Sequence, residues 1–334
     1  MRARLLLARA MRSRLFHHAI RVLEQSDSGR SDTLAVLTYH RIGHDHDVRG
    51  YPGLISAAPM QFDEQMNFLA RRYRVISMAD LVEAREGQRR LPPKSIMITF
   101  DDAYRDFAES AWPILRRWGL PVTLFVPTSY PGQSDRSFWW DWLHVALRAA
   151  DPNALIDTPA GSLRLASMAD RSNAYRVLRT VVKTRPHAEG MRLVAEIAER
   201  LGVSEPEGSV LDWPTLRTLA ASGVTLAAHT RDHPLLDHVG VDQLDAELRG
   251  SWQDLRDQIG ETLPVVAYPS GAHSIAVRAA ARRIGFRIAF TTDRGVNDLR
   301  SADWFRLRRI NVGRNSSLNA LRVQVGRWAH LWSR

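Results

Sequence analysis

Cysteine is absent from all 334 residues. That excludes a disulfide framework, a zinc knuckle and a thiolate nucleophile, and it leaves the redox compartment open. Lysine is nearly absent too: only Lys94 and Lys183 occur, which leaves 44 of the 46 basic residues as arginine. The net charge is +10, yet the arginines are spread through every segment and no recognition motif accompanies them, so the charge does not mark a nucleic-acid partner. No apolar run approaches the roughly 20 residues of a membrane span. Acid is missing from the first 23 residues, which carry six arginines. Leu5, Ala8, Met11, Leu15, Ala19 and Leu23 follow helical spacing there, so residues 1–30 read as a basic amphipathic helix and linker. Such a helix either lies on an anionic membrane or packs on the domain. The run Leu5–Ala8 is too short for a signal-peptide core, and the expected location is cytoplasmic, with peripheral contact to the inner membrane as a further expectation.

What is present is the composition of a folded soluble domain, 45% hydrophobic and 25% charged. Apolar strand-like runs alternate with segments of helical spacing: TLAVLTYH, QFDEQMNFLARRY, YRVIS, MADLVEARE, SIMITF, FAESAWPILRRWG and PVTLFVPT. Residues 137–208 break the rhythm and read as mostly helical. It returns with LDWPTLRTLAASG, VTLAAHT, the long helical segment from Val241, VVAYPSG, VRAAARRIG, RIAFTT and LRRINV. The expectation is an α/β fold, a distorted (β/α) barrel of TIM type with about seven strands, and a helical subdomain inserted in it. Residues 31–136 and 209–334 would form the barrel, and 137–208 the insertion.

In such barrels the reactive residues sit where strands end. Asp101 and Asp102 end SIMITF, and two adjacent carboxylates after a buried strand call for a cation. His229 and His233 follow VTLAA with the i, i+4 spacing that shares one face of a helical turn. Two histidines and one carboxylate form a three-ligand set that leaves positions open for water and substrate, the arrangement of a catalytic divalent-metal site.

TFDDAYRDF and AHTRDHPLL together resemble the polysaccharide deacetylase family, the carbohydrate esterases built on a NodB homology domain. LTYHRI, TLFVPT, SFWWDW and AYPSG add to the resemblance, which spans roughly residues 34 to 315. It implies metal ligation by Asp102, His229 and His233, with Asp101 as the base that takes a proton from the attacking water. The implied ion is Zn2+, with Co2+ or Ni2+ as alternatives. The implied activity is N-deacetylation of an N-acetylated sugar in a bacterial polysaccharide or glycan precursor, lipid-linked or not. A catalytically silent glycan-binding module and an aminosugar deformylase are the alternatives.

The chain departs from the family pattern in three places. Ala103 replaces the glycine after the aspartate pair, a mild change if its φ is negative. Ala267-Tyr268-Pro269-Ser270 stands where the family has Arg-x-Pro-Tyr, with Tyr268 and Pro269 expected to line the substrate groove. LRRINV lacks the late histidine that many relatives use as general acid. His40, ending the first strand, is the candidate in its place, and His273 a lesser one. Arg309 is expected to stabilise charge on the substrate, and Trp140 in the 139–142 cluster to stack on sugar rings or pack in a core. His17, His18, His44, His46, His144, His187, His238 and His330 are expected to be surface or packing residues.

Overall fold

The computed structural model describes residues 32–46 and 50–326. The expected N-terminal amphipathic helix, with His17 and His18, and the C-terminal His330 lie outside the described residues. Among the described residues no helix is long and apolar enough to cross a membrane.

Seven strands close a parallel barrel: β1 (Thr33–Tyr39), β5 (Ser95–Phe100), β6 (Thr123–Val126), β9 (Thr225–Ala228), β10 (Val265–Ala267), β11 (Ile288–Arg294) and β13 (Leu307–Asn311). Closure comes from β1, which pairs with β5 from Leu34↔Ser95 to Tyr39↔Phe100 and with β13 at Leu37↔Ile310. The short β4 (Arg74–Val75) pairs in parallel with the start of β5, and β12 (Asn297–Asp298) runs antiparallel to the start of β1. A further two-residue strand, β2 (Arg41–Ile42), pairs with β3 (Ile55–Ala57) beside the mouth.

The strand period of two sorts the core into an inside and an outside. Leu34, Val36, Met97, Phe125, Ala267 and Phe290 fill the barrel interior. Their neighbours Ala35, Leu37, Ile96, Ile98 and Phe100 face the helices. Continuing the inward series past the apolar residues brings Asp101 from β5, His229 from β9 and Arg309 from β13 to the carboxyl-end mouth. All three are buried.

The helical ring comprises α1 (Pro59–Arg72), α2 (Met78–Arg85), α3 (Trp112–Arg117), α7 (Trp213–Ala221), α8 (Val241–Ile259), α9 (Ile275–Ile284) and α10 (Leu318–Val325). Ser77 starts α2 through a capping box with Asp80, and Asp212 and Ser274 cap α7 and α9. The helix expected over 107–118 begins instead with a π-helical turn, Phe107–Ala111, before α3. Pro113 has no N–H to give to the preceding turn, and the wider turn accommodates that loss.

The insertion contains α4 (Trp139–Ala149), α5 (Met168–Lys183) and α6 (His187–Arg200). Within this stretch, read as mostly helical, it also contains a β-hairpin, β7 (Leu155–Thr158) with β8 (Gly161–Arg164). Gly161 takes φ 99° at the hairpin turn, which favours glycine and ends any helix. The three helices pack on one another, and α4 and α5 present one side to the barrel mouth.

Candidate metal centre

Asp102, His229 and His233 converge. One ligating atom from each lies within 4.8 Å of the others, and all three residues are buried. The Nε2 atoms of His229 and His233 approach Asp102 Oδ1 at 3.4 and 3.3 Å. Asp102 Oδ1 is buried without a hydrogen-bond partner. A buried carboxylate oxygen left bare beside two imidazole nitrogens fits a divalent ion, because an unpaired buried charge is otherwise costly. His229 Nδ1 donates to the carbonyl of Ala267 at 2.8 Å, a bond that leaves Nε2 free to ligate. Burial would raise the Asp102 carboxyl, but His229 and His233 hold it well below the usual carboxylate range. Burial lowers His233 and outweighs its attraction to Asp102, which favours the neutral ring a metal needs.

The two histidines are not on a helical turn, contrary to the expectation from their spacing. Residues 229–233 form a loop in which Thr230 and His233 have φ of 65° and 58°. This left-handed backbone brings an i, i+4 pair together without helical hydrogen bonds. The loop is pinned at several points. Thr128 N–H and Ser129 N–H donate to the carbonyls of Thr230 and Arg231 at 3.0 and 3.1 Å. Glu247 on α8 accepts from the N–H groups of Arg231 and Asp232 at 2.8 and 3.0 Å. Phe138 and Trp140 pack edge-on against the His233 ring at 5.8 and 5.0 Å.

Ala103 does not keep a negative φ; its value is 52° and that of Asp102 is 75°. With Thr230, His233 and Ser270 they account for five of the six described non-glycine residues with positive φ. Each costs on the order of 1 kcal/mol, and such strain gathers where surrounding structure enforces a working geometry.

Asp101 is oriented from a direction that the motif did not reveal. Arg309 Nη1 and Nη2 donate to its two carboxylate oxygens, both at 2.7 Å, with both side chains buried. Arg309 Nε is held in turn by the carbonyl of Thr291 at 2.9 Å. The guanidinium missing from residues 267–270 is thus supplied by β13. Burial alone would raise the Asp101 carboxyl; Arg309 first, then His229, bring it below its ordinary value.

A cavity open to solvent lies over this cluster, and His40, Asp101, Asp102 and Trp140 line it. Arg309, Tyr268 and Pro269 do not. Arg309 is committed to Asp101, while Tyr268 is fully buried and its hydroxyl donates to the carbonyl of Phe305 at 3.3 Å. Pro269 is buried beside it, and the next residue, Ser270, reaches the cavity instead. His273 bonds to the carbonyl of Gly271 and stacks on Tyr268, away from the cavity. His187 and His238, expected to be surface or packing residues, line the cavity, as do Tyr51, Arg179 and Lys183. These last five had no motif to announce them, although Lys183 is one of only two lysines.

A closed parallel barrel with a buried two-His, one-Asp cluster at its carboxyl-end mouth defines a metal-dependent hydrolase of the NodB-homology type. The chain belongs to the polysaccharide deacetylase family, whose pattern matches residues 88–289, more than half its length. YxkH of Bacillus subtilis is 18% identical over 293 residues, covering 87% of this chain and 76% of its own. The poly-β-1,6-N-acetyl-D-glucosamine N-deacetylase of Staphylococcus epidermidis is 23% identical over 109 residues, 30% of this chain and 37% of that one. The Streptococcus pyogenes deacetylase PplD, solved in complex with acetate, shares the fold with a TM-score of 0.59 and 19% identity, over 89% of this chain and 99% of that one.

Proposed function

We propose that this chain is a zinc-dependent N-deacetylase that removes the acetyl group from an N-acetylated amino sugar of a glycan. The observation that carries the reading is the pairing of a bare Asp102 Oδ1 between two imidazoles with a separately oriented Asp101 next to it. Asp102, His229 and His233 would hold the ion, and two nitrogen ligands with one carboxylate oxygen suit zinc. When bound there, a divalent ion supplies Lewis acidity for the amide carbonyl and for the attacking water.

The chain's own residues carry the protons. The Arg309 guanidinium fixes the plane of the Asp101 carboxylate, which keeps lone pairs free to accept a proton from water entering the cavity. A carboxylate held below its ordinary value aligns the water and passes the proton on rather than keeping it. A new C–O bond forms at the acetyl carbon, the C–N bond breaks, and the amine leaves with a proton. We assign that proton to His40, which lines the cavity beside both aspartates. Trp139 and Trp140 offer aromatic surface for the sugar ring. The amino-sugar substrate is supported by the name of the S. epidermidis relative. Attachment of that sugar to a lipid carrier is part of the proposal.

The test is amine release from β-1,4- and β-1,6-linked N-acetylglucosamine oligomers by zinc-loaded protein, with Asp101→Asn as control. Release that Asp101→Asn reduces at least 100-fold is the expected result. Retained zinc with no release from either oligomer, or equal release by the variant, would overturn the reading.

A further inference from the structure

The charges in the cavity favour a substrate that carries an anionic group beside the amino sugar. Among the described residues, Asp101 and Asp102 are the cavity's only acidic lining residues. Asp101 is neutralised by Arg309, and Asp102 is committed to the histidine cluster. Facing them are Arg179, Lys183 and Arg185, from the end of α5 and the turn after it.

None of these three forms an ion pair among the described residues, whereas arginines elsewhere on the surface pair readily, Arg231 with Asp254 and Arg249 with Asp245, both at 2.9 Å. Lys183 Nζ donates to Ser270 Oγ at 3.0 Å, on the strained loop after β10. Burial, and then the neighbouring Arg179, pull the Lys183 ammonium below its ordinary value, against a smaller opposing pull from Asp102. Arg185 Nη1 donates only to the carbonyl of Val181, at 3.2 Å. Three cations with no ion pair among the described residues, set around a partly enclosed cavity, focus a positive potential on whatever enters.

We propose that Arg179, Lys183 and Arg185 form an oxyanion subsite, so that the substrate is a glycan carrying a phosphate or carboxylate next to the acetylated amino sugar. This rests on the deacetylase reading and narrows it. Arginine forks and a lysine point charge are the groups that recognise such oxyanions. Because the subsite belongs to the insertion and the metal cluster to the barrel, the insertion selects which acetamido group is presented.

The experiment is calorimetric titration of zinc-loaded protein, at low and moderate salt, with three probes: methyl N-acetylglucosaminide, N-acetylglucosamine 1-phosphate and N-acetylmuramic acid. One anionic probe should bind at least tenfold more tightly than the neutral sugar, and the advantage should shrink with salt. Which probe wins distinguishes a phosphate from a carboxylate. Arg179→Gln and Lys183→Gln should each cut the ratio of anionic to neutral affinity three- to tenfold, with thermal unfolding confirming that both variants fold. An equal affinity for all three probes overturns the subsite and leaves deacetylation standing, as does an anionic advantage that survives both substitutions. Failure of every probe to bind overturns both readings.

Discussion

Arg309→Met tests the most specific structural claim about the site. The guanidinium and the Asp101 carboxylate form a bidentate pair with both N···O distances at 2.7 Å, and both residues are almost wholly removed from water. Removing one partner of such a pair leaves a desolvated charge and typically costs 3–5 kcal/mol. At roughly 2 °C per kcal/mol for a chain of this size, melting should fall by about 6–10 °C. Replacing both partners by apolar residues of similar volume removes the stranded charge, so Asp101→Leu/Arg309→Met should recover at least half of the loss.

Activity supplies a second readout with a definite sign. In the proposed reaction Asp101 works as a carboxylate, and Arg309 is the largest influence holding it below its ordinary value against burial. Without the arginine, burial pushes that carboxyl up, so the acid limb of kcat/KM moves to higher pH. The same sign governs stability. In the wild type, the pair's contribution is present above the ordinary carboxylate range and is lost as pH falls through the lowered value. Thermal and urea unfolding at fixed zinc, with a pH–rate profile, measure all three effects. An Arg309→Met variant melting within about 1 °C of the wild type, with an unmoved acid limb, would refute the reasoning.

Zinc titration of stripped protein should show one tight site that His233→Ala weakens at least 100-fold; equal binding by the two proteins would sink the ligand assignment. Saturating zinc should raise the melting temperature of the wild type, since a ligand of the native state alone adds RT ln(1 + [L]/Kd), and chelation should reverse it. Asp141 is buried, accepts from the Tyr104 hydroxyl at 2.9 Å and the Tyr51 N–H at 2.6 Å, and is pushed up by burial to about 6. Its favourable contribution is therefore complete below about pH 4 and lost as pH rises to about 6, a change of about 2–3 kcal/mol. The difference in unfolding free energy between wild type and Asp141→Asn should follow that course, and a flat difference from pH 4 to 7 would contradict it.

How much of this was legible beforehand depends on the range of the interaction concerned. The barrel showed in the alternation of strand and helix segments, because burial of one face stamps a period of two or 3.6 on neighbouring residues. Asp101, Asp102, His229 and His233 stood out because the chemistry needs those residue types at strand ends, and a strand end is a local feature. The i, i+4 spacing was misread as helical, since tertiary hydrogen bonds from Thr128, Ser129 and Glu247 fold that loop with positive φ at Thr230 and His233. Ala103 likewise kept no negative φ, and its carbonyl accepts from the distant Leu211 N–H at 2.9 Å.

The residue types of the metal cluster and the order of the strands that carry them were thus determined by the sequence alone. Only the closed barrel decided that Arg309 meets Asp101 across 208 residues, because it is the pairing of β1 with both β5 and β13 that brings those strands to one mouth. Only the packing of the insertion decided that Lys183 reaches Ser270 and lines the cavity. Contacts of that length leave no period in the chain; they exist only once apolar burial has closed the sheet and docked the helices on it.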